Sequence, residues 1–268
     1  MYLTVNDHPT YCYTGGKTFD AARPTVVFIH GVLNDHSVWI LQSRYLANHG
    51  WNVLAVDLPG HCKSEGAPAA SVESAAAFVL SLLDAAGVGK AALIGHSFGS
   101  LVALEVAASA PERVSQLVMV GTAFPMKVSP ALLALSRDEP MKAIDMVNTF
   151  SHSMLAPPPS SLGPGTWLYG GSRALMRRVL HSNPAINLFY TGFKACDDYA
   201  GGDAAIARVQ CEVLFVLGRN DQMTLPKTAQ GLISQAARGK VVEVEAGHQL
   251  MLEAPDDVLA ALKGFLRP

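Results

Sequence analysis

Ser97 lies between two glycines in Gly95-His96-Ser97-Phe98-Gly99. The apolar run Ala91 to Ile94 precedes this segment, and a helical pattern from Phe98 to Ala110 follows it, ended by Pro111. A strand that turns into a helix this sharply leaves no space for side chains beside the turn residue, which accounts for glycine on both sides. The serine is forced outward at a helix N-terminus, where developing negative charge is favoured. A hydroxyl is a poor nucleophile until a base takes its proton. Two later segments offer that base and its partner. Asp221 follows the run Leu214-Phe215-Val216-Leu217-Gly218-Arg219-Asn220, and His248 follows Val241-Val242-Glu243-Val244-Glu245-Ala246-Gly247. Each lies in the loop after a strand pattern. His248 is thus expected to act as general base toward Ser97 and later as acid toward a leaving group. Asp221 is expected to fix the imidazole tautomer and to stabilise the imidazolium. A tetrahedral oxyanion needs two preorganised N–H donors. The expected donors are the backbone amides of Phe98 and of Val32 in His30-Gly31-Val32, with Gly31 permitting a sharp turn at the end of another strand pattern.

These residues require a scaffold that brings several strand ends together. Apolar runs occur at Thr25 to Ile29, Asn52 to Val56, Ala91 to Ile94, Gln116 to Val120, Glu212 to Leu217 and Lys240 to Val244. Most are continuous rather than alternating, as expected of parallel strands covered on both faces. Helical patterns alternate with them, including Ser71 to Ala86 with Ser71 as its cap. The expected class is therefore α/β, with a mostly parallel central sheet flanked by helices. Met1 to Asn6 and Pro9 to Thr14 read as an antiparallel edge hairpin turning at Asp7-His8. The alternation stops between residues 123 and 202. Ala131 to Arg137, Met141 to His152, Trp167 to His181 and Ala185 to Tyr199 read as helices there, broken by Pro157-Pro158-Pro159 and Gly163-Pro164-Gly165. The expected organisation is a core of residues 1–122 and 203–268, interrupted by a helical cap of residues 123–202.

Composition narrows the function classes. The 268 residues are 50% hydrophobic and 16% charged, with 20 Lys plus Arg against 22 Asp plus Glu. Soluble proteins average about 25% charged residues, so the chain is poor in charge. Its near-balance of sign gives no electrostatic case for nucleic acid or an anionic membrane. Asp84 and Glu105 interrupt the best apolar stretches well short of the ~20 residues a membrane span needs, so no membrane insertion is expected. The N-terminus lacks the basic start and apolar run of a signal peptide. Cys12, Cys62, Cys196 and Cys211 form no metal-spaced cluster and read as free thiols in a reducing, cytoplasmic compartment. No phosphate loop or metal-ligand spacing is present, so neither a metal nor another cofactor is expected.

Together, His30-Gly31-Val32, Asp57-Leu58-Pro59-Gly60-His61, the segment around Ser97, Gly218-Arg219-Asn220-Asp221 and Gly247-His248 resemble a capped, esterase-like serine hydrolase of the α/β-hydrolase superfamily. The chain order Ser, Asp, His fits that resemblance. Three departures are informative. Cys62 stands where the family often has a second glycine after Asp-Leu-Pro, and it reads as a packed thiol. His-Gly-Val replaces the His-Gly-Gly-Gly of some esterases and lipases, so a loop roomy enough for very bulky alcohols is not implied. The nucleophile is serine, which sets aside the relatives that attack with a carboxylate.

The resemblance implies hydrolysis of small to medium apolar carboxylic esters through an acyl-enzyme, with a small molecule as the partner. The same triad also serves C–C bond hydrolysis of ring-cleavage diketo acids, acyl transfer and perhydrolysis. A hydrolase fold used as a ligand-binding receptor is the alternative outside enzymes. Candidate pocket residues are Gly31, His36, His96, Trp167, Tyr190 and Phe193. For His36 the competing role is the polar start of a helix near Asp35. Arg173 and Arg177, at i and i+4, would share a helix face and could hold a substrate carboxylate, against the reading of a solvated face. The number of subunits is left open.

Overall fold

A computed structural model describes residues 1–20, 22–153 and 167–267. Eight strands form one sheet: β1 (Tyr2–Val5), β2 (His8–Tyr13), β3 (Thr25–Ile29), β4 (Asn52–Val56), β5 (Ala91–His96), β6 (Val114–Val120), β7 (Glu212–Gly218) and β8 (Gly239–Val244). Their spatial order is β1-β2-β4-β3-β5-β6-β7-β8. β1 pairs antiparallel with β2, and β2 antiparallel with β4, while β4 to β8 run parallel. The hairpin turns one residue earlier than expected. Asn6 and Asp7 both adopt positive φ (49° and 66°), which their short polar side chains tolerate best.

The continuous apolar runs are resolved by the period of two. In β3, Val27 and Ile29 join one core layer while Val26 and Phe28 join the other; in β5, Leu93 and Ile94 divide the same way, and in β7 Phe215 and Val216 do so. Covering both faces requires helices on both sides. Between the strands and after them lie α1 (Ile40–Asn48), α2 (Val72–Ala85), α3 (Phe98–Ser109), α4 (Pro130–Asp138), α5 (Pro140–Ser151), α6 (Leu168–Ser182), α7 (Leu188–Asp198), α8 (Gly202–Ile206), α9 (Gln230–Gln235), α10 (Leu250–Glu253) and α11 (Pro255–Phe265). α2 and α3 pack on the first layer, and α1 and α11 on the second. α3 is buried almost all round, so it shows little amphipathic signal in the sequence. Ser71 caps α2 through a reciprocal capping box with Ser74.

α4 to α8 fill the long connection between β6 and β7. They carry an apolar cluster of their own, built on Ile144, Val147, Met176, Val179, Phe189 and Phe193, which reaches the core at Leu33. Pro157-Pro158-Pro159 and Gly163-Pro164-Gly165 lie outside the described residues. Among the described residues no helix is long and apolar enough to cross a membrane.

Candidate active site

Ser97 occupies the turn between β5 and α3 with φ 53° and ψ −120°. A non-glycine residue held there stores roughly 1–3 kcal/mol of strain, so the surroundings must enforce the conformation. They do so through neighbouring backbone. Ser97 N–H donates to Val120 O at 3.0 Å, and Ser100 Oγ donates to Ser97 O at 2.5 Å. A Cβ on Gly95 would lie 2.6 Å from Ser100 N, and one on Gly99 would lie 2.7 Å from His30 O. Both flanking positions therefore exclude any side chain.

The adjacent loop differs in one respect from the sequence expectation. Its left-handed residue is Leu33 (φ 52°), not Gly31. Gly31 instead supplies clearance, since a Cβ there would lie 3.0 Å from His96 Nδ1 and 3.2 Å from Ser97 Cβ. The Gly31 carbonyl accepts from Asn34 N at 3.2 Å and meets His30 Nδ1 at 2.8 Å. His30 Nε2 accepts from Leu58 N–H at 3.1 Å, so the ring proton belongs on Nδ1 and is donated to Gly31 O. The Val32 N–H shares a rigid peptide plane with that carbonyl and points the opposite way. Phe98 N–H is the first amide of α3, one of the four that a helix leaves without an intrahelical acceptor.

Asp221 and His248 meet across the loops after β7 and β8. A Cβ on Gly218 would lie 2.6 Å from Ala246 O, so glycine permits that approach. Asp221 Oδ2 lies 2.9 Å from His248 Nδ1, with both residues nearly enclosed. The backbone N–H groups of Met223 and Thr224 each donate to Asp221 Oδ1 at 2.8 Å. Thr224 Oγ1 donates to Oδ2 at 2.6 Å and lies 3.1 Å from His248 Nδ1. Burial pushes the Asp221 pKa up, but His248 and these donors outweigh it and hold the carboxyl below the usual carboxylate range.

The His248 backbone is fixed from the helical insertion. Ser151 O, at the end of α5, accepts from His248 N–H at 2.8 Å and from Gln249 N–H at 3.2 Å. The buried Glu253 carboxylate accepts from Gly247 N–H at 3.2 Å, Ser153 N–H at 2.8 Å and Ser153 Oγ at 2.6 Å. His96 packs against His248 with ring centroids 4.7 Å apart, and its Nε2 donates to His248 O at 2.9 Å. Burial, then the neighbouring His248, lowers the His96 pKa to about 3.

Ser97, His248, Val32, His96 and Phe193 all line one cavity of about 300 Å³ between the sheet and the insertion. Met126, Met146, Met176 and Met223 contribute much of its apolar wall. These are flexible, polarizable side chains that adapt to differently shaped guests. Four candidate pocket residues lie elsewhere. His36 Nδ1 hydrogen-bonds Asp57 Oδ1 at 2.7 Å beside Tyr11, while Asp35 caps the short helix that follows through Ser37 N–H. Tyr190 lies on the flank of α7, with the Arg137 guanidinium 6.0 Å above its ring. Trp167 is 60% exposed and stacks on Tyr169. Gly31 borders a small neighbouring crevice rather than the cavity itself. Thr224 and Glu253 were missed in the sequence; the only signals were an Asp-x-x-Thr spacing and an acid five residues after the histidine.

Comparison with known proteins agrees with this architecture. The alpha/beta hydrolase fold family matches residues 24–156. Over 254 residues the chain is 28% identical to the dihydrolipoyllysine-residue acetyltransferase component of the acetoin cleaving system of Pseudomonas putida, covering 90% of this chain and 63% of that one. It thus spans less than two thirds of that relative. It is 24% identical over 252 residues to the (E)-2-((N-methylformamido)methylene)succinate hydrolase of Acinetobacter baylyi, covering 90% and 89%. The enol-lactonase of Burkholderia xenovorans LB400 superposes with a TM-score of 0.84 at 22% identity over 99% of both chains. With the sheet order, the turn at Ser97 and the family match in place, the chain belongs to the α/β-hydrolase superfamily.

Proposed function

We propose that this protein is a serine hydrolase of small to medium, neutral, apolar carboxylic esters. The observation that carries the reading is the Asp221–His248 pair. Its Nδ1–H is committed to Asp221 at 2.9 Å, which leaves the Nε2 lone pair as the base. Ser97 shares the cavity with that base. In this reading Ser97 attacks the acyl carbonyl as His248 takes its proton. The amides of Val32 and Phe98 receive the oxyanion. His248 then protonates the departing alkoxide and activates water to release the acid. Residues 123–202 form the cap, and its methionine-rich wall holds the acyl chain. A volume of about 300 Å³ is at the small end of ligand pockets, which run from about 300 to 1,000 Å³. The four free cysteines support a reducing, cytoplasmic setting.

An arginine facing the cavity would favour diketo acids cleaved at a C–C bond. Arg173 instead pairs with Asp145 and Arg178 with Asp35, Arg177 is exposed, and none of the three lines the cavity. Lys127 does line it, but its ammonium donates to Asp197 O. These engagements support a neutral ester over an anionic substrate.

The test is a series of p-nitrophenyl esters from acetate to octanoate, run beside a ring-cleavage diketo acid, with fluorophosphonate labelling of the parent and of Ser97→Ala. The expected result is stoichiometric labelling lost in Ser97→Ala and ester turnover far above diketo-acid turnover. A folded protein that neither labels nor hydrolyses any ester of the series would remove the reading and leave a binding role.

A further inference from the structure

Thr224 stands outside the Ser-Asp-His set, yet its side chain touches both Asp221 and His248. Asp221 Oδ2, His248 Nδ1 and Thr224 Oγ1 form a triangle with sides of 2.6, 2.9 and 3.1 Å. All three residues are at most 6% exposed. The protons in this triangle can be counted. A hydroxyl has one proton and two lone pairs, and a carboxylate only accepts. The 2.6 Å contact therefore commits the Thr224 proton to Asp221 Oδ2. Toward His248 the Thr224 oxygen has only a lone pair left to present. Nδ1 must then carry the proton, shared between Oδ2 and Oγ1. Two acceptors, the second oriented by the first, favour the same tautomer, the one that leaves Nε2 free to take a proton from Ser97.

Resting on the serine-hydrolase reading above, we propose that Thr224 is a positioning residue of the triad. Its hydroxyl, oriented by Asp221, accepts from His248 Nδ1–H and holds the imidazole in its working tautomer and orientation. The local chain explains how it reaches. Asp221 Oδ1 collects the Met223 and Thr224 amides, which curls residues 221–224 into a tight turn. That turn brings the side chain at its fourth position, Thr224, back over the carboxylate. When His248 gains a second proton at Nε2, the added positive charge spreads to Nδ1–H. The Thr224 dipole already has its negative end there, so it requires no reorientation during the reaction.

The test compares Thr224→Val, which keeps the shape and removes the hydroxyl, with Thr224→Ser, which keeps the hydroxyl. Ester turnover, thermal midpoint and the rate of fluorophosphonate labelling are measured on each. Thr224→Val is expected to lower kcat by roughly 10–100-fold, the size of losing a hydrogen bond to a charged partner. KM should stay within about threefold, and labelling should slow in parallel with kcat. Thr224→Ser should recover most of kcat. If Thr224→Val does not fold, Thr224→Ala takes its place against the same serine variant. A valine variant within twofold of the parent kcat would overturn the proposal, as would a serine variant as slow as valine, since packing alone would then be responsible. A parent that neither labels nor turns over would remove the underlying hydrolase reading instead, so the two failures are distinct.

Discussion

Replacing Asp221 by asparagine should inactivate the protein through orientation, and the structure says which way the new amide must lie. Oδ1 accepts two backbone N–H groups, from Met223 and Thr224, at 2.8 Å each. Placing the asparagine NH2 there would set donors against donors and forfeit two hydrogen bonds, a penalty of about 2–4 kcal/mol. The amide oxygen therefore takes the Oδ1 position and the NH2 takes the Oδ2 position, 2.9 Å from His248 Nδ1. An N–H donor facing Nδ1 requires a lone pair on that nitrogen, which moves the ring proton to Nε2. The nitrogen that should accept the Ser97 proton then already carries one. The expected loss is about 10⁴-fold in kcat, equivalent to about 5 kcal/mol of transition-state stabilisation. Steady-state hydrolysis of a p-nitrophenyl ester measures it, with thermal unfolding as the control for folding. Turnover of a folded Asp221→Asn variant within tenfold of the parent would refute the orientation argument and point to another carboxylate.

Glu253→Ala should destabilise the fold by about 3 kcal/mol or more, because it leaves Gly247 N–H and the Ser153 donors without their carboxylate; urea unfolding checks this, and a change under 1 kcal/mol would contradict it. Gly31→Ala should slow turnover, since its Cβ would press on Ser97 Cβ at 3.2 Å and on His96 Nδ1 at 3.0 Å; unchanged kcat would show that the loop yields freely. Acid should destabilise the protein early. His30, His61 and His96 are buried, and burial is the first cause lowering each pKa, to about 4 for His61 and about 3 for His96. Below the unfolded value of about 6.5 the unfolded chain binds protons that the folded one refuses, so stability falls as pH drops from about 6.5 toward 4. His61 and His96 each contribute a slope of up to about 1.4 kcal/mol per pH unit in that window, and His30 acts in the same direction. Thermal midpoints that stay flat between pH 7 and pH 5 would rule this out.

The sheet was legible in the sequence because buried parallel strands are almost free of charge and end at glycine-containing turns. The turn at Ser97 and the loop at Asp221 each follow such a strand, whereas the loop at His248 follows β8, an exposed edge strand that carries Lys240 and Glu243. The wall of the cavity was not legible. On α7, Phe193 faces the cavity while Tyr190, three residues earlier, lies on the flank beside Arg137. An aromatic residue on a helix packed on several sides gives no sign of which neighbour it meets. The partner of His36 was not legible because Asp57 is 21 residues away, and only the pairing of β3 with β4 brings the two loops together. Thr224 and Glu253 escaped notice because their roles lie in the direction of a hydroxyl proton and in contacts to backbone amides, neither of which leaves a composition or spacing signature.

The junction between α5 and the His248 loop has a consequence for engineering. Ser151 O receives both the His248 and Gln249 amides, and Glu253 reaches back to Ser153. Residues 151–153, inside the insertion at the end of α5, therefore act as a splint for the histidine. Chimeras that transplant the insertion of a homologue to change substrate range would have to keep residues 151–153, or carry a matching carbonyl and serine at that spot. Graft boundaries drawn only by secondary structure, at the two ends of the helical segment, would exchange pocket and histidine support together.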